Sequence, residues 1–266
     1  VSVLEVVTRQ NIKKILPVIV GVGLLLIGAL AIYAILVGPS KQPYREALTQ
    51  YRNVYDANVA FTNAGAAINA SGASNEQFTK NITTLRSALK GITTENEALG
   101  KKAVLTSGEG QHYYKAFTEK LAAYTAYNTT VIDAIEVLRP VLYECSGTMN
   151  SVTQDAAGAS ALRNCAAEMQ KRTIPDPDYA QLARSFIESY NGAATAIEKR
   201  VALSDPTGAD KAAATMFENE RDEFVRDLTT ASTNLAKNLQ KSREKVDITN
   251  SAMALDNYLK AKSSVF

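Results

Sequence analysis

The sequence predicts an all-α protein: an N-terminal single transmembrane helix followed by an antiparallel multi-helix bundle with coiled-coil-like heptad seams. Three observations predict it. Residues 15–37 are 23 consecutive positions without a formal charge. Beyond Ser40, apolar residues recur at steps of three and four, the period of a helix with one buried face. No run alternates strictly between apolar and polar residues, so strands have no support.

The apolar segment comes first. A hydrocarbon core of about 30 Å takes about 20 helical residues at about 1.5 Å each, so 15–37 is long enough to span. Pro17 falls in the first turn, where a missing N–H costs little. Gly21, Gly23 and Gly28 are tolerable in lipid, where water does not compete for backbone hydrogen bonds. Ala29-Leu30-Ala31 offers a small-x-small cleavage pattern, but the run exceeds the roughly 7–15 apolar residues of a signal peptide. Cleavage would also leave an apolar terminus from Ile32 to Val37. An uncleaved anchor is therefore expected. Arg9, Lys13 and Lys14 precede the span against one acid, Glu5, while Lys41 and Arg45 follow it. The positive-inside rule then places a short tail, 1–14, in the cytoplasm and the bundle, 41–266, outside it.

The first bundle helix is expected to begin near Pro43, with Tyr44, Leu48, Tyr51, Tyr55 and Val59 on one face. Gly72 ends it, and Ser74 with Gln77 reads as a capping box for the next. That second helix carries Phe78, Ile82, Leu85, Leu89 and Ile92, a heptad seam. Gly91 weakens it, and Thr94 with Glu97 offers a restart. "TSGEGQ", with Gly108 and Gly110, marks a turn. The third helix has the longest seam: Tyr114, Phe117, Leu121, Tyr124, Asn128, Val131, Ile135, Leu138 and Leu142, with Pro140 expected to kink or end it. A shorter helix spans about Ala161 to Met169. Asp176 then caps a helix with Pro177 at its first position and an apolar face of Tyr179, Leu182, Phe186, Ala193, Ile197 and Val201. A sub-boundary is expected near 173–178. "SDPTGAD" breaks the chain again, and a last helix is expected from about Ala209 to about Ala261. Its seam is Phe217, Phe224, Leu228, Leu235 and Leu239, continuing less regularly through Val246, Met253 and Tyr258.

Charge narrows the function. The chain holds 29 basic and 27 acidic residues. Setting aside the three basic and one acidic residue of 1–40 leaves 26 of each, so the bundle has no cationic excess for nucleic acid. Cys145 and Cys165 fit no zinc or redox spacing. Outside the cytoplasm they form a candidate disulfide, and closing a loop of about 20 residues contributes about 3 kcal/mol in the loop-entropy model. The single histidine, His112, has no second histidine with which to build a metal site or a triad. Acid pairs such as Glu218 with Glu220 read as a solvated helix face. The helical faces carry a candidate ligand pocket in Tyr51, Tyr55 and Tyr124, set against ordinary bundle packing of amphipathic rings. Tyr44, next to the span, is placed to mark the membrane interface.

No catalytic residue, cofactor or metal site is expected. The expected function is non-enzymatic: a membrane-anchored interaction or scaffold component, with protein partners or self-association through helix faces. The alternative is a sensor-like ligand-binding module that signals through a separate membrane partner.

Overall fold

The computed structural model describes residues 41–68, 74–145 and 153–264. The expected tail and anchor, 1–14 and 15–37, lie outside the described residues. No helix among the described residues is long and apolar enough to cross a membrane. The elements are α1 (Gln42–Ile68), α2 (Asn75–Gly100), a 3₁₀ turn (Ala103–Leu105), α3 (Gly108–Cys145), α4 (Ala156–Gln170), α5 (Pro177–Val201), α6 (Lys211–Lys245) and α7 (Thr249–Ser263). The all-helical expectation holds for these residues, which include no strand.

They form two compact units. The discontinuous unit joins residues 41–132 to 241–264, and the continuous unit is 133–240. The divisions fall inside α3 and inside α6. The Pro175–Pro177 break, expected as a candidate sub-boundary, lies within the continuous unit. There it turns the chain between α4 and α5, which pack on each other.

In the discontinuous unit α1 is the central element, packed on α2, α7 and the 3₁₀ turn. Paired contacts fix its register with α2. Gln50 bonds Glu95, the Gly91 backbone faces Ala57, and that of Gly65 faces Leu85. The numbers fall on one helix as they rise on the other, so α1 and α2 are antiparallel. Tyr44–Tyr258 and Tyr51–Ala252 give the same sense for α1 and α7. Tyr51–Phe117 and Phe61–Tyr124 make α1 and α3 parallel.

The α2 seam matches its pattern: Phe78, Ile82, Leu85, Leu89 and Ile92 are buried, and Asn96 and Leu99 extend it. The helix runs unbroken through Gly91 and Thr94. Ser74 caps it by accepting the Gln77 N–H, while the Gln77 side chain turns to Asn81 rather than completing a reciprocal box. On α1, Leu48 and Tyr51 are buried as expected, but Val54, Asn58 and Phe61 replace Tyr55 and Val59 in the core.

The turn into α3 needs its glycines. Gly108 has φ +60°, a region costly to side-chain-bearing residues. A Cβ on Gly110 would lie 1.9 Å from the Val104 carbonyl oxygen. Along α3 the buried set begins as expected with Phe117 and Leu121. It then becomes Ile132, Ala134, Leu138, Val141 and Cys145 in place of Val131, Ile135 and Leu142. Asn128 satisfies its amide on the Tyr124 carbonyl of its own helix, so it does not act as a polar seam residue. Pro140 does not end α3, which continues to Cys145.

In the continuous unit Asp155 caps α4 and Asp176 caps α5, the latter accepting the Asp178 and Tyr179 N–H groups with Pro177 at the first turn. The core gathers Leu138, Val141, Leu162, Met169, Phe186, Tyr190 and Ile197. Val201, expected on the apolar face of α5, is 45 % exposed. Lys199–Glu220 and Arg200–Glu218 place α5 antiparallel to α6. Those two glutamates are partly exposed ion-pair partners of α5, so the solvated face also links the two helices. Gly192 lets the helices close up, since a Cβ there would lie 2.3 Å from the Phe224 ring.

The expected single C-terminal helix is two. After Lys245 the chain breaks at 246–248, where Asp247 accepts the Thr249 N–H and hydroxyl. A short acceptor two residues ahead competes with helix continuation. The break allows α7 to lie against α1.

Candidate functional site

The predicted cysteines end α3 and sit within α4. Their Sγ atoms are 2.07 Å apart, with Cα atoms at 5.9 Å, forming a disulfide. Its neighbour is Tyr190, whose hydroxyl donates to the Cys145 carbonyl at 3.0 Å. That carbonyl ends a helix, where no intrahelical donor remains.

The predicted tyrosines all lie in the discontinuous unit. Tyr51 is 5 % exposed, set edge-on to Phe117, and its hydroxyl donates to the Ala252 carbonyl at 3.0 Å. Tyr124 packs edge-on to Phe61 and donates to Asn58 Oδ1 at 3.1 Å. Tyr55 is half-buried. The rings thus fill and rim a core, with two hydroxyls committed internally.

Burial raises these phenols. Tyr51 rises well above the usual range, chiefly by desolvation and then by the nearby Asp256 charge. Tyr124 is pushed up to about 12 by burial, and Tyr258 rises through burial and its hydrogen bond with Tyr44. Below pH about 10 both folded and unfolded chains keep phenols protonated. Above it the unfolded chain ionises first, so stability falls from pH about 10 toward 12, by up to about 1.4 kcal/mol per pH unit for each raised tyrosine. The expected result is an alkaline unfolding transition in that window, made shallower by Tyr51→Phe. Helicity and tyrosinate absorbance followed together check it. A helicity loss that begins well below pH 10 would count against this assignment.

His112 is exposed and stands beside Tyr113. Among the described residues no group of His, Cys, Asp and Glu side chains is arranged to hold a metal ion.

A cavity of about 200 Å³ lies elsewhere, between α5 and α6 in the continuous unit. Asp178, Gln181 and Ser185 form one wall; Asp227, Thr230, Asn234 and Asn238 form the other, with Leu182 and Leu235 among them. Asn238 donates to Asp178 Oδ1 at 3.1 Å across the groove. The walls offer carboxylates, amides and hydroxyls but no histidine, cysteine or lysine. Such a set binds by hydrogen bonds. The sequence reading missed it, although the signal was present. Asp227, Thr230, Asn234 and Asn238 follow steps of three and four, a polar stripe facing another of Asp178, Gln181 and Ser185. No family model, curated protein or solved structure matches the chain.

Proposed function

We propose that this chain is a membrane-anchored, non-enzymatic interaction protein whose helical part lies outside the cytoplasm. The observation that carries the reading is the polar groove between α5 and α6. At about 200 Å³ it falls below the roughly 300–1,000 Å³ of sites that enclose a small molecule. Its walls are helix faces, open to side chains presented by a partner. The extracytoplasmic placement draws support from the Cys145–Cys165 disulfide, which fits an oxidising compartment, and from the apolar segment 15–37 with its basic N-terminal flank.

The groove's carboxylates and amides also favour a second reading, a module for a small polar ligand that signals through a separate membrane partner. One substitution separates the two. Asn234 is exposed on α6, so Asn234→Arg blocks the groove without touching the core. Crosslinking in intact cells, followed by detergent extraction and mass spectrometry, should recover a defined set of envelope proteins with the wild type and lose it with Asn234→Arg. An unchanged set, or self-crosslinks alone, would overturn the groove as the docking site. Thermal stabilisation by small polar molecules, abolished by Asn234→Arg, would favour the second reading.

A further inference from the structure

Three helix ends converge in the discontinuous unit. Lys41, just before α1, donates from Nζ to the Ser264 carbonyl just after α7. Lys262 of α7 pairs with Glu109 in the first turn of α3 at 3.3 Å. Between them lies an aromatic cluster: Tyr113 stacks on Tyr258 with centroids 4.9 Å apart, and Tyr44 meets Tyr258 edge-on at 6.1 Å. His112 stands beside Tyr113 at 5.9 Å, and Lys262 Nζ lies 5.8 Å from the Tyr258 ring centre. Tyr44 and Tyr113 are half-buried, and His112 and Lys262 are exposed. Tyr258 is the buried centre of the cluster, so this end of the unit presents the Tyr44 and Tyr113 rings, an imidazole and ammonium groups together. Tyrosine and lysine are the side chains that settle where hydrocarbon meets headgroups, because each joins an apolar body to a polar tip.

Chain length places this end. Three residues, Gly38 to Ser40, separate Val37, the last of the apolar segment, from Lys41, so the two are four Cα–Cα steps apart. Even fully extended they reach about 14 Å. The headgroup layer on each side of a bilayer is itself about 5–8 Å deep. If residues 15–37 span, the start of α1 is tethered at the headgroups or just above them.

We infer that the end of the discontinuous unit formed by Lys41, Tyr44, Tyr113, Tyr258 and Lys262 rests on the headgroup surface of the membrane that holds the anchor. The inference rests on the proposed anchor. The contact is more aromatic than electrostatic. Glu109 neutralises Lys262, Asp256 neutralises Lys260, and Glu46 lies near Arg45 in sequence. High salt should therefore leave it intact.

The chain has no tryptophan, so one introduced tryptophan is a unique emitter. The full chain carrying Tyr113→Trp is reconstituted into phosphatidylethanolamine–phosphatidylglycerol vesicles, with or without bromine on the upper acyl chain. Tyr127→Trp serves as the comparison, about 21 Å further along α3. Tyr113→Trp should lose emission in the brominated vesicles, and Tyr127→Trp should emit equally in both. Should Tyr113→Trp lose helicity, Tyr44→Trp repeats the measurement from the first turn of α1. Flotation after a high-salt wash reads the anchor separately. A chain that floats but shows no loss at position 113 or 44 overturns the surface contact and leaves the anchor standing. A chain released by the wash overturns both.

Discussion

Tyr190→Ala should cost the continuous unit about 3–5 kcal/mol, the range for deleting a fully buried aromatic ring. Tyr190 is 0 % exposed, its ring stacks on Phe186 with centroids 3.9 Å apart, and its hydroxyl holds the Cys145 carbonyl. Truncation opens a cavity in a core of small residues, Ala183, Ala193 and Ala194. None of these can reach in to refill it. The substitution also strands the terminal carbonyl of α3 beside the disulfide. Tyr190→Phe separates the two losses, because it keeps the ring and removes only the hydrogen bond. Its expected cost is about 1–3 kcal/mol, that of an unsatisfied buried acceptor. A chain of two units need not unfold in one step, so peptide-resolved hydrogen exchange is the right measurement. Protection should fall in peptides from α4 and α5, more for alanine than for phenylalanine. Equal effects of the two would mean that the hydrogen bond, not the ring, holds this core. No effect from either would remove Tyr190 from it.

The same residue shows where the sequence was readable and where it was not. Its helix was legible: Asp176, Pro177 and the step pattern predict α5, and Asp176 caps it as expected. Tyr190 lies four residues after Phe186 and three before Ala193, on the same face, but its polar neighbours Ser189 and Asn191 interrupt the apolar pattern there. The α2 seam was legible from end to end because its apolar period is complete and meets one core. Beyond Tyr124 the α3 seam kept Leu138 but lost Val131, Ile135 and Leu142, for a physical reason. Residues 108–132 and 133–145 serve different units, so one heptad register cannot describe both. The division itself left no linker to read, since it falls within two helices. The break between α6 and α7 turned on a single acceptor, Asp247, with no proline or glycine to announce it. Of the candidate tyrosines, Tyr51 and Tyr124 lie on the packed faces and Tyr55 beside one, and only the paired positions Tyr51–Ala252 and Tyr124–Asn58 reveal that two of the hydroxyls are spent internally. The groove was not legible from the apolar stripes, because its signature is polar.

Leu121→Asp should unfold the discontinuous unit. Leu121 is 3 % exposed on α3, one turn from Phe117, which meets Tyr51, and one from Tyr124, which meets Phe61 and Asn58. It thus sits midway along the α1–α3 contact. Losing the leucine side chain alone costs about 2–5 kcal/mol. A buried, unpaired carboxylate adds several more, or takes up a proton to avoid ionising. Against a typical domain stability of about 5–15 kcal/mol, that removes most of the margin. Leu121→Ala, carrying only the first cost, should destabilise the unit and leave it folded. Met253→Asp provides the matched control for a new carboxylate. The sequence pattern puts Met253 on the last seam, but it is 48 % exposed. Its substitution should therefore change stability by no more than about 0.5 kcal/mol. Hydrogen exchange resolved over peptides from α1, α2 and α7 distinguishes the three variants. Full loss of protection for Leu121→Asp, partial loss for Leu121→Ala and none for Met253→Asp is the expected order. Unchanged protection in Leu121→Asp would mean that α1 and α3 do not meet along the register given by Tyr51–Phe117 and Phe61–Tyr124. The aromatic end proposed to rest on the membrane would then lose its frame, because that register brings the first turn of α3 alongside Tyr44.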